Sequence, residues 1–331
     1  MKRYAPRTMI SLPLALVAFF AGILFLFKGS DILVDGTTHT AAHLGVSSLI
    51  ISVVIVAIGT SAPEFAISVG ASIQEYTQVV DEGAAISVGN IIGSCIANFL
   101  LVIGISALIR PISVQKGIVK RELPIVILVT VFLLLFGLVG LLDQNHIFGA
   151  TLFLVFFFLF IWYFIRCAKK ERIKTKKFEE GSMMRNGIMI ILGIVGVVIG
   201  AWFLIESAIT IADFFRIPTL IISLSMVAIG TSLPELVVSA MASYKHESDI
   251  AIGNVLGSNV FNILLILGAS AIFIPLKVIH AMNHLIILLF VTLIMVPVLL
   301  TKATISRFKG LILLVIYVGY LWYTFFGTQM F

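Results

Sequence analysis

Charged side chains are scarce in this chain. They make up 11% of its 331 residues, against a hydrophobic content of 60% and a mean hydropathy of +1.16. So little charge cannot clothe the two water-soluble domains that the length alone would suggest, and that class is excluded. Cysteine is nearly absent. Cys95 and Cys167 fall inside one apolar run and at the end of another, which argues against a structural disulfide and against a thiolate metal centre. The net charge of +6 is not spread over the chain either: eight of the 22 basic residues lie between Arg166 and Arg185. A local excess of this kind reports membrane topology and not nucleic-acid binding. What the chain has in abundance is apolar runs of about 18 to 28 residues, each enough to cross roughly 30 Å of hydrocarbon as a helix. Runs of that length exclude a barrel of short alternating strands and predict an all-α polytopic membrane protein.

Lys2, Arg3 and Arg7 precede the first run as they would in a signal peptide, but the run continues through Phe27 without a small-residue cleavage site. It therefore reads as a first span at 9–33, followed by a loop carrying Asp35, His39 and His43. Further spans are expected at 47–75, 84–109, 122–141 and 147–166. A basic stretch follows, and then the pattern restarts with spans at 184–212, 217–244, 250–274, 284–301 and 305–326. The restart is an internal repeat. Ala57-Ile58-Gly59-Thr60-Ser61-Ala62-Pro63-Glu64 returns 171 residues later as Ala228-Ile229-Gly230-Thr231-Ser232-Leu233-Pro234-Glu235. The stretch from Ile86 to Pro111 returns at an offset of 164 as Ile250 to Pro275. The organisation expected is residues 1–166 as a first five-helix unit, 167–183 as a linker and 184–331 as a second unit. Because five is odd, the second unit must lie upside down relative to the first: ten transmembrane helices in two inverted-topology repeats. With the linker inside, 17 Lys and Arg fall on the inner side and 5 on the outer. That count predicts a cytoplasmic linker and both termini outside.

A carboxylate in an apolar span costs about 3 kcal/mol by insertion scales, and an uncompensated helix proline costs about as much again. Each motif accepts both. Proline lacks an N–H and leaves the carbonyl four residues back unpaired, so Pro63 frees Gly59 C=O and Pro234 frees Gly230 C=O. In a membrane such loose backbone is tolerated where it lines a cavity or meets another partner, and a cation is one. Thr60 and Glu64 are four residues apart on one helical face, as are Thr231 and Glu235. The neighbouring repeats supply Ser94 with Asn98 and Ser258 with Asn262, while Gly89, Gly93, Gly253 and Gly257 would let these helices approach the motif helices closely. The donor set is all oxygen. Hard cations prefer it, and calcium takes about six to eight oxygens in flexible geometry. Two glutamates neutralise one divalent ion, whereas three sodium ions would leave one positive charge, and both loads suit one cavity.

The Gly-Thr-Ser-x-Pro-Glu and Gly-Asn-x-x-Gly-Ser-x-x-x-Asn pairs, present in both halves, resemble the alpha-repeats of the calcium/cation antiporter superfamily, most closely its prokaryotic sodium/calcium exchangers. The resemblance spans essentially the whole chain. It implies discontinuous second, third, seventh and eighth helices around a midplane site, and long first and sixth helices that slide across this core to open it to each side in turn. It also implies that calcium is held by Glu64, Glu235, Thr60 and Thr231. Sodium ligands would be the Ala57 and Ala228 carbonyls, Ser61, Ser232, Ser94 and Ser258, with Asn98 and Asn262 completing the site. Studied prokaryotic members can carry aspartate where Asn262 stands, so one ionisable group is missing here.

These residues predict a secondary antiporter of the cell membrane, functional as a monomer, that exports calcium against sodium and needs no cofactor. Proton/calcium exchange is the alternative within the class. A cation channel would build its filter from rings of subunits, and an intramembrane protease would need paired aspartates or His-Glu-x-x-His, which the chain lacks. Asn90 and Asn254 read as structural. Asp31, Asp35 and Glu206 read as interfacial or capping groups, His39 and His43 as exposed bystanders, Glu75, Asp81 and Glu82 as an acidic outer loop, and the basic linker as a contact for anionic lipid.

Overall fold

The structure is a computed structural model describing residues 11–79, 82–115, 121–172, 182–214, 230–300 and 304–326. It is almost wholly helical. In chain order the helices are α1 (Leu12–Leu44), α2 (Ser48–Thr60), α3 (Ala62–Tyr76), α4 (Gly83–Ile109), α5 (Leu123–Leu138), α6 (His146–Arg172), α7 (Met183–Phe214), α8 (Leu233–Tyr244), α9 (Ser248–Phe273), α10 (Met282–Leu300) and α11 (Arg307–Phe326). Among the described residues six helices are long and apolar enough to cross a membrane, or seven if α2 and α3 are one bent span. The expected seventh span begins outside the described residues, as do Ala228, Asp81 and the middle of the basic linker.

The first helix corrects the sequence reading. Asp35, His39 and His43 lie not in a loop but on the last turns of α1, which runs on to Leu44. Gly45 ends it at φ 67°, with Gly45 N–H bonded to Ala42 C=O and Val46 N–H to Ala41 C=O. These two bonds satisfy carbonyls that the helix end would otherwise orphan. The helix persists through polar residues because one face of the extension, with Leu33, Val34, Gly36, Thr37, Thr40 and Ala41, is buried. Asp31 and Asp35, one turn apart, also share the Lys245 ammonium at 2.6 and 2.7 Å. Partial burial pushes Lys245 down, but its bonds to Asp31 and Asp35 outweigh this and hold it above the ordinary lysine value.

The partner of α1 is α7. Gly22, Gly29 and Gly36 recur every seven residues on α1 and meet Gly200, Val197 and Ile190 of α7, so the two helices run antiparallel. Their backbones touch: a β-carbon on Gly29 would lie 2.7 Å from the Val197 nitrogen, and one on Gly200 the same distance from the Leu26 nitrogen. Small residues make such an approach feasible, and dispersion then holds the pair without a hydrophobic driving force. This long pair flanks a core formed by the other helices. At its centre lie α4 and α9, whose residues are the most buried.

The connections gather at two ends. At one, Ile112–Ser113 pairs antiparallel with Thr304–Ile305, Arg110 Nη1 donates to Tyr244 C=O, Arg307 Nε donates to Leu108 C=O, and Lys245 meets α1. At the other, Leu276 N–H donates to Leu142 C=O at 2.7 Å and His146 Nδ1 lies 2.7 Å from Ala271 C=O. The loops assigned to the inner side by their basic residues thus meet one another. Because the glycine seam leaves no room, Gly29→Leu is expected to destabilise the protein by about 1–3 kcal/mol or more. A lowered thermal midpoint of the purified protein in detergent would bear this out, and an unchanged midpoint would mean that the seam is not close-packed.

Candidate functional site

The chain bends by 48° between α2 and α3, at Ser61, whose φ of −81° and ψ of 10° leave the helical range. Pro63 explains the break. It cannot donate to Gly59 C=O, and it sits in the first turn of α3, where a missing N–H costs nothing. Ser232 at φ −85° and ψ 6° stands before Pro234 in the same way at the start of α8. Proline therefore does more than free carbonyls. It stands in the first turn of a new helix, one residue before the acid, so Glu64 and Glu235 each lie in that first turn, where unpaired N–H groups and the helix dipole favour negative charge.

Both carboxylates are completely buried. Ser94 Oγ donates to Glu64 Oε1 at 3.0 Å, while Ser61 and Ser258 donate to Glu235 Oε1 at 2.9 and 3.3 Å. Ser232 Oγ lies 2.9 Å from Ser94 Oγ. Since the Ser94 proton goes to Glu64, Ser232 supplies the proton of that second bond, and a chain of hydroxyls joins the two motifs. The other carboxylate oxygens, Glu64 Oε2 and Glu235 Oε2, have no hydrogen-bond partner among the described residues. The same holds for Asn98 Oδ1 and for both amide atoms of Asn262, which are all buried. Buried acceptors without donors are costly, and a group of them in one region is what a cation would satisfy.

The remaining polar groups hold the frame in matched pairs. Thr60 Oγ1 donates to Asn254 Oδ1 at 3.0 Å, and Thr231 Oγ1 to Asn90 Oδ1 at 3.4 Å. Asn254 Nδ2 donates to Ser239 Oγ, and Asn90 Nδ2 to Ser68 Oγ. The two asparagines are structural, as expected, and they orient the threonines. The Ala57 carbonyl accepts the Ser61 N–H at 3.1 Å and lies 3.4 Å from Thr60 Oγ1. Gly253 and Gly257 do press α9 onto α2: added β-carbons would lie 3.0 Å from Ser52 Cβ and 2.7 Å from Ala57 Cβ. Gly89 and Gly93 meet nothing within 4 Å among the described residues.

Three features escaped the sequence reading. The helices α4 and α9 are continuous rather than broken, but each widens into a π-helical turn that begins at the site, at Asn98–Val102 and Phe261–Ile266. A third π-turn, Ser52–Val56, precedes Ala57. Such turns carry an extra residue that redirects side chains, and they concentrate at functional positions. No propensity signal marks them. The third feature is Asn259, whose Oδ1 accepts from Asn98 Nδ2 at 2.9 Å. Its presence beside Ser258, where the first copy has Cys95 beside Ser94, was the available signal. Among the described residues no three His, Cys, Asp or Glu side chains cluster as a metal centre. Glu75 does not act as a free outer charge, because its Oε2 accepts the Ala84 N–H at 2.6 Å and caps α4. The Asn254 pairings predict that Asn254→Leu, which removes the partner of Thr60 at 3.0 Å and the donor to Ser239, destabilises the protein by about 1–3 kcal/mol. A wild-type denaturation midpoint would show that these bonds add no stability.

Known proteins resemble this chain over most of its length. The family model described as sodium/calcium exchanger protein matches residues 14–166 and 186–326. The sodium/calcium exchanger MaX1 of Methanosarcina acetivorans is 32% identical over 342 residues, covering 91% of this chain and 95% of that protein. The inner membrane protein YrbG of Escherichia coli is 33% identical over 269 residues, covering 79% and 81%. A solved structure of the sodium-calcium exchanger NCX_Mj superposes with a TM-score of 0.79 at 30% identity, covering 93% of this chain and 97% of that one.

Proposed function

Because the chain belongs to the sodium/calcium exchanger protein family, and is thus a multi-pass membrane antiporter of cations, we propose that it exports calcium from the cytoplasm in exchange for sodium by alternating access at one midplane site. One observation carries the assignment. Glu64 and Glu235, fully buried, each have one oxygen tied to serine hydroxyls and the other without a partner, beside the unpartnered amide atoms of Asn98 and Asn262. Calcium would take the free carboxylate oxygens, with Thr60 and Thr231 beside them. Sodium ions would use Ser61, Ser94, Ser232, Ser258, the Ala57 and Ala228 carbonyls, Asn98 and Asn262. No cofactor enters this scheme. One chain completes the site, so a monomer suffices.

The wider architecture in this proposal is ten helices in two inverted repeats, residues 1–166 and 184–331, joined by the basic linker 167–183. The matched bonds of Thr60 to Asn254 and of Thr231 to Asn90 support it. With the linker cytoplasmic in the cell membrane, both termini lie outside. The gathering of the basic loops around Arg110, Lys245 and Arg307 at one end supports that orientation.

A second reading has its own support. The two acids balance one calcium ion or two protons with no charge left over, since Asn262 adds none. Proton/calcium exchange would therefore be electroneutral at the site. Two measurements decide these points. Glu64→Gln or Glu235→Gln is expected to abolish calcium uptake into sodium-loaded vesicles while the protein still inserts, and near-normal uptake would reject the site. Replacing the sodium gradient with a proton gradient is expected to stop uptake. Uptake that follows pH and ignores sodium would make the proton the driving ion.

A further inference from the structure

We propose that Asn259 is a positioning residue that fixes which end of the Asn98 amide is offered to the transported cations. This deepens the reading of Asn98 as a ligand and rests on it. The argument begins at a group whose role is unambiguous. The Cys95 carbonyl can only accept, and Asn259 Nδ2 lies 3.4 Å from it, so the amide nitrogen of Asn259 is the end turned to α4. Its oxygen is then left to accept from Asn98 Nδ2 at 2.9 Å. That bond uses the nitrogen end of Asn98 and leaves Oδ1 as the free end, buried and without a partner among the described residues. Asn98 lies one turn beyond Ser94, the serine that donates to Glu64. An amide is an acceptor at one end and a donor at the other, so a reversed Asn98 would present N–H groups to a cation instead of an oxygen. Cys95 to Asn259 to Asn98 is thus a relay that starts at a backbone carbonyl and ends at an oxygen ligand.

The second half lacks this device. At the position matching Asn259 stands Cys95, whose Sγ lies 3.9 Å from the Asn259 carbonyl, and a thiol is only a weak donor and acceptor. Asn262 accordingly makes no close hydrogen bond with either amide atom among the described residues, and its polar neighbour is the Cys95 thiol. Two asparagines at equivalent positions therefore differ: one is held by an amide, which fixes its direction, and the other faces a thiol, which is a weak partner for either end.

The test uses the purified full-length chain in detergent, with calcium-dependent thermal stabilisation giving an apparent affinity. Asn259→Ala is expected to weaken calcium binding roughly 10- to 100-fold, as loss of an outer partner does at other metal sites. In an Asn98→Asp background the same change should cost less than about threefold, because a carboxylate accepts at both oxygens and has no wrong end. Asn259→Ser, small enough for the helix crossing, is measured alongside and should fall between wild type and alanine, so that a folding defect in the alanine variant does not hide the comparison. Equal losses in both backgrounds would overturn the proposal and leave Asn259 a packing residue. Unchanged calcium affinity in Asn98→Ala, or no stabilisation of the wild type by calcium, would instead reject the underlying ligand reading.

Discussion

Two carboxylates buried in a membrane interior are the constraint that the rest of the structure answers. Water is not there to solvate Glu64 and Glu235, so the protein must supply donors, and it uses three kinds: helix N-termini created by Pro63 and Pro234, hydroxyls from the same half, and hydroxyls from the other half. The cross-half bonds matter most for architecture. Ser61 reaches Glu235, and Ser232 reaches Glu64 through Ser94. Neither half can solvate its own acid completely, which ties the two motif segments into one core more firmly than apolar contact would in lipid.

The polar shell divides into groups that are used up and groups that are left over. Thr60, Thr231, Asn90 and Asn254 spend their bonds on one another and on Ser68 and Ser239. One oxygen on each glutamate, one end of Asn98 and both ends of Asn262 remain. A network satisfied everywhere would be rigid and inert. Within this shell the leftover atoms sit on the residues nearest the two prolines and the two π-turns, where the backbone also departs from regular helix.

Much of this could be read from residues alone because the chain repeats itself. A lone buried glutamate is ambiguous, but Glu64 and Glu235, each preceded by Gly-Thr-Ser-x-Pro, name their own neighbours. Composition supplied most of the spans for the same reason that it failed at Val34 to Leu44: hydropathy measures contact with lipid. That stretch is helical through a buried face and an ion pair with Lys245, which are tertiary causes. The π-turns leave no trace in hydropathy or propensity. The relay through Asn259 depends on two helices crossing, so the residue looks like any other polar side chain in a motif until α9 is laid on α4.

The helix pair α1 and α7 is held together differently from the site that it flanks. Within the pair, contact is backbone to backbone along the glycine seam, and such contacts tolerate little displacement. Toward the motifs it is different: Ile194 and Ile205, both on α7, lay their side-chain ends on Gly59 and Gly230. Isoleucine tips against glycine can be repacked without moving either backbone. The ion pair of Lys245 with Asp31 and Asp35 is half-exposed at one end of the molecule, where exposed pairs are worth only about 0–1 kcal/mol. A displacement of the pair as one body would therefore preserve its own seam, break a weak polar tie, and require repacking both over the motif glycines and in the buried apolar cluster that Leu33 and Val34 share with Val238 and Ala242. The buried bonds around Glu64 and Glu235 lie among helices that do not belong to the pair, so they do not depend on where the pair sits.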